Sequence, residues 1–74
     1  MTQQEALERV RAVARDNMDA MLANPGDEGV EAVADNAMHR VVKRALQVGC
    51  DMDAIIRAKW AGCREAGLPA PTGM

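Results

Sequence analysis

"RALQVGCDMDAIIRAKW", Arg44 to Trp60, is the stretch whose reading decides the fold. Ala45 is followed four residues later by Gly49, and six beyond that by Ile55, with Val48 just before the glycine. A small residue lets two helices approach, a glycine takes the turn between them, and an aliphatic residue locks the second helix. Asp51 or Asp53 then offers a carboxylate to the free N–H groups of a new helix. The segment predicts two helices meeting at a tight corner.

Downstream, a short helix over 52–66 is expected, with Met52, Ile55, Ile56, Trp60 and Cys63 as its apolar side and Lys59 snorkelling from within it. It should stop at "AGLP", where Gly67 suits a left-handed residue, Leu68 can close a Schellman contact and Pro69 forbids continuation. Residues 1–68 then form one domain, and the tail 69–74, lacking packing residues, is expected to be disordered.

Upstream, a helix over 28–48 starts at Asp27 and ends at Gly49. Val30, Val33, Ala37, Val41, Ala45 and Val48 make one apolar row, and Ala34, Met38, Val42 and Leu46 make a second beside it. The two rows cover about 220° of the helix, roughly twice what one neighbour needs. This helix should touch at least two others, within the chain or across a dimer. Before it, "NPGD" at Asn24–Asp27 ends a first helix over 3–23. That helix opens on a capping box, Thr2 to Glu5, and carries Leu7, Val10, Ala14, Met18 and Met21 as one stripe. Glu5–Arg9 and Arg15–Asp19 are spaced as surface ion pairs. The expected fold is all-α: a helical hairpin, a short third helix packed across it through Ile55, Ile56 and Trp60, and a homodimer.

Composition sharpens the dimer expectation. The chain has 74 residues and is 49% apolar, yet it has no Phe, no Tyr and one Trp. Small side chains bury little area each, so a single core is marginal at this length. Cys50 and Cys63 are too few for a disulfide framework, and their spacing matches no zinc pattern. No apolar run resembles a signal peptide or a membrane span, so a cytoplasmic protein with reduced thiols is expected.

Catalytic groups are sparse. There is no serine, and the only histidine, His39, lies among Arg40, Lys43 and Asp35 on the polar arc of the second helix. Neither Asp51/Asp53 nor Asp16/Asp19 needs more than capping or solvation to explain it. No enzyme activity, cofactor, metal or small-molecule substrate is expected.

Two readings remain. Ala45, Gly49 and Ile55 resemble the helix-turn-helix pattern, which implies a small DNA-binding regulator acting as a dimer; Arg44 departs from it, since an apolar residue is usual before the small one. Asp51 and Asp53 stand where a recognition helix would meet phosphates, and the chain carries net −2, so nucleic acid is the less favoured partner. The preferred reading is a protein-binding module that modulates or inhibits a larger partner. Met38, Val42, Leu46 and Trp60 are its expected partner or dimer surface, although Trp60 has an alternative role in filling the core. Residues 1–35 hold three arginines against eight carboxylates, net −5, and residues 36–74 hold six basic against three acidic groups, net +3. Glu28, Glu31 and Asp35 are accordingly expected to steer association. In character the chain is similar to accessory proteins of bacteriophages and mobile elements, many of which block a host protein, including inhibitors of host defence.

Overall fold

The computed structural model describes residues 1–66. The expected stop at Gly67, Leu68 and Pro69 and the disordered tail lie outside these residues. Three helices make up the fold: α1 (Gln3–Ala23), α2 (Glu28–Gln47) and α3 (Met52–Glu65), with no strand among the described residues.

Each start has a side-chain cap. The Thr2 hydroxyl accepts from the Glu5 N–H at 3.1 Å, and the Glu5 carboxylate accepts from the Thr2 N–H at 3.1 Å, a complete capping box. These Thr2 hydrogen bonds hold the Glu5 carboxyl below its ordinary pKa. A lowered carboxyl pKa means stability present above the unfolded value and lost as pH falls through the folded one. The first turn of α1 is therefore expected to fray on acidification; amide exchange at Glu5 and Ala6 followed by NMR against pH reads it, and Glu5→Gln should flatten that dependence. Asp27 caps α2 by accepting from Gly29 and Val30 N–H at 2.9 and 3.2 Å. Asp51, rather than Asp53, caps α3 by accepting from Ala54 N–H at 2.8 Å.

The Arg44–Trp60 corner is a Schellman closure. Cys50 N–H reaches back to the Ala45 carbonyl and Gly49 N–H to that of Leu46, at 3.0 and 3.1 Å, while Gly49 takes φ +96°. Ala45, Cys50 and Ile55 are all buried in the same cluster. The Gln3 side-chain amide donates to the Val48 carbonyl at 3.1 Å and so ties the start of α1 to the corner.

α1 is the shared partner. It packs against both α2 and α3, whereas α2 and α3 scarcely touch beyond the corner. The molecule measures about 36 × 33 × 18 Å, less than two helix diameters thick. Its buried apolar residues are Ala6, Val10, Ala14, Ala34, Ala45, Cys50 and Ile55. Val10, with no exposed surface, is the largest fully enclosed side chain. Val10→Ala is expected to cost about 2 kcal/mol, two methyl groups' transfer plus the cavity left behind, read as a lower urea midpoint.

Several packing expectations need correction. Leu7, Met18 and Met21 are only half-buried, and Ala6 joins Val10 and Ala14 in the closed part of the α1 stripe. On α2, Val33 is 68% exposed, because α1 seats on Ala34 and Ala45 and Val33 is turned about 100° from Ala34. α3 docks through Ile55 but not through Ile56 or Trp60. The reason is Gly62: it is buried, and a Cβ built there would strike the Arg11 carbonyl oxygen and lie 2.8 Å from Ala14 Cβ. α3 turns this bare position onto the α1 backbone. Ile56 and Trp60, about 100° and 140° around from Ile55, are thereby rotated outward. Arg11 pairs with Glu65 beside this crossing.

Candidate protein-docking trough

The splay of α2 and α3 leaves a trough between them, floored by α1. It encloses about 160 Å³, with Ala14, Asn17, Met18 and Met21 below, Asp35 and Met38 on the α2 wall, and Lys59 and Cys63 on the α3 wall. The Asn17 side-chain amide donates to the Ala34 carbonyl at 2.9 Å and pins α2 to the floor. Asn17 stands out in neither apolar stripe nor charge pattern; its only sequence signal is a polar residue one step from the Ala14–Met18–Met21 row.

The α2 wall collects the residues singled out from the sequence. At about 100° per residue, Glu28, Glu31, Asp35, Met38, Val42 and Leu46 fall within roughly 80° of arc, and Asp35 and Met38 fix that arc toward α3. Met38 and Val42 are half-buried against the core, and Leu46 is 48% exposed. Glu28 and Glu31 lie in the first turn of α2, where the helix dipole favours them. With Asp35 they are exposed, and no ion pair holds them among the described residues. The second apolar row of α2 is thus edged by acid and left unroofed by α3.

On the α3 wall, Lys59 and Cys63 face the trough; Met52, Ile56 and Trp60, at spacings of four, fall with them within about 100° of helix arc. They are 51%, 43% and 62% exposed. Trp60 therefore does not plug the core. Cys63 is half-buried and free, and Cys50 is buried, its thiol 3.6 Å from the Gln3 carbonyl.

No group of three His, Cys, Asp or Glu gathers for a metal among the described residues, and His39 is exposed away from the floor. No described helix is long and apolar enough to cross a membrane. The corner residues of the helix-turn-helix resemblance, Ala45, Gly49 and Ile55, all serve the packing and turn already described. No protein-family model, curated protein or solved structure matches the chain.

Proposed function

We propose that the chain is a non-enzymatic protein-binding module that modulates or inhibits a larger partner by seating an amphipathic helix of that partner in the α2–α3 trough. What carries the reading is the docking of α3 on α1 instead of α2, which leaves Leu46 on α2 and Met52, Ile56 and Trp60 on α3 exposed. Large exposed apolar side chains on neighbouring helices are a common mark of an interaction site. Met18, Met21 and Met38 line it with adaptable thioether side chains, suited to a helix-in-groove mode. Asp35 on one wall and Lys59 on the other would orient the guest, its basic side toward α2, with Glu28 and Glu31 steering its approach. The same arcs offer a second copy of the chain a surface, so a homodimer in the free state belongs to the reading. Such a module would serve a phage or mobile element as an inhibitor of host defence, acting in the cytoplasm.

Cys63 supplies the test. A thiol-directed photo-crosslinker should label Cys63 inside the trough and spare buried Cys50. Irradiation in cells of the native host should then trap a discrete protein adduct that Leu46→Asp and Trp60→Ala both remove. An adduct indifferent to both variants, or none, would refute the proposal.

The alternative is a helix-turn-helix DNA regulator, favoured by the placement of Ala45, Gly49 and Ile55 at a true corner. It expects steep, salt-dependent binding with sequence preference. The Asp51 carboxylate and exposed Asp53 at the leading end of α3 weigh against it. A salt-titrated shift assay separates the two readings.

A further inference from the structure

On the opposite flank of α2 from the trough lies a second concavity, of about 240 Å³, whose walls are Arg9 of α1 and Arg40 and Arg44 of α2 over a floor of Ala6 and Val41, with Met1 at its edge. We infer that this hollow is a receptor for a compact phosphate group, carried by a small phosphorylated molecule. It stands independently of the trough.

Arg9, Arg40 and Arg44 all line this hollow, a local excess of positive charge unless a carboxylate sits among them. The positions one turn away from Arg40 are Asn36, Ala37, Lys43 and Arg44; those from Arg44 are Arg40, Val41, Gln47 and Val48. None is acidic. Arg9 has one acidic neighbour at this spacing, Glu5, whose carboxylate accepts from Thr2 N–H and also feels the Arg9 charge. Arg11 pairs with Glu65 and Arg15 with Asp16 at 3.6 Å, while among the described residues no salt bridge holds Arg9, Arg40 or Arg44. This flank is thus rich in positive charge and open to an anion.

Geometry and valence select the ligand. A carboxylate has one charge and two oxygens and is met by a single guanidinium fork. A phosphate monoester or diphosphate brings at least two charges and three or more oxygens, matching several forks at once. The hollow is open to solvent, so a terminal phosphate can enter it from outside. A nucleic-acid duplex would need a longer row of cations, and the chain as a whole is acidic.

The test uses the intact protein with pyrophosphate as probe, followed by ¹H–¹⁵N spectra that include the arginine side chains, at constant ionic strength. Saturable shifts at Arg9, Arg40 and Arg44 and at the Ala6 and Val41 amides are expected, absent with equal ionic strength of chloride. Arg40→Gln and Arg44→Gln should each weaken binding at least about tenfold, the loss of one charge-assisted contact. Arg64→Gln, on α3, should not change it. All three positions are exposed, so the variants should keep the helical spectrum of the parent. Shifts that grow linearly without saturation, or that Arg40→Gln leaves intact, would overturn the inference. So would a mixed-sequence duplex that saturates the same signals at a lower phosphate concentration than pyrophosphate does.

Discussion

Gly62→Ala is expected to destabilise the protein by about 2 kcal/mol, although the same change at an exposed helical site would stabilise it. Two effects oppose each other. Alanine gains about 1 kcal/mol over glycine from helix propensity. Against this, the new methyl would sit 2.8 Å from Ala14 Cβ and 3.0 Å from the Arg11 carbonyl carbon, with the Arg11 oxygen nearer still. Overpacking costs about 1–3 kcal/mol. The upper end applies here because the obstacle is backbone, which cannot swing aside as a flexible side chain would. A domain this small holds only about 3–5 kcal/mol, so the folded population falls sharply. A urea titration followed by helical ellipticity reads the effect, and an unchanged or higher midpoint would mean that α1 and α3 do not cross at Gly62. Glu65→Gln, which breaks the neighbouring pair with Arg11, should cost less than about 1 kcal/mol, since both groups are substantially solvated.

The second large effect is on binding. Trp60→Ala should weaken partner capture by at least about thirtyfold, the loss of a 2 kcal/mol anchor, while moving the urea midpoint by no more than about 0.5 kcal/mol equivalent. The split follows from position: 62% of Trp60 is exposed, so the fold gains little from it, and an aromatic side chain at a rim gains much when a partner covers it. As the only tryptophan in a chain without tyrosine, it also reports its own burial. Its emission should shift to the blue when the partner seats. A Trp60→Ala protein that unfolds early, or one that binds as tightly as the parent, would contradict the anchor role.

Local signals made the helices readable. The capping box at Thr2–Glu5, the Asn24–Asp27 break and the Ala45–Gly49–Ile55 corner each act within a few residues, and all three take the expected form. The rotation of α3 was not readable, because it depends on what a missing side chain permits. Periodicity counted Ile56 and Trp60 as core since both are apolar, while Gly62, with no side chain to count, determined which face met α1. Arg11 and Asn17 were hidden for a related reason: their partners, Glu65 and the Ala34 carbonyl, lie far along the chain. The α2 arc was visible as surplus apolar perimeter, and its exposure follows from α3 choosing α1. Cys63, placed on the apolar side of α3, became a trough residue through the same rotation.

The 18 Å thickness of the molecule carries a consequence for its lifetime in a cell. A guest present at a hundred times its dissociation constant adds about 2.7 kcal/mol to the folded state, comparable to everything such a slender slab can hold by itself. Copies without a guest open more often and meet proteases first. Under the proposed function, the standing amount of this protein would then follow the supply of its target, with no dedicated sensor.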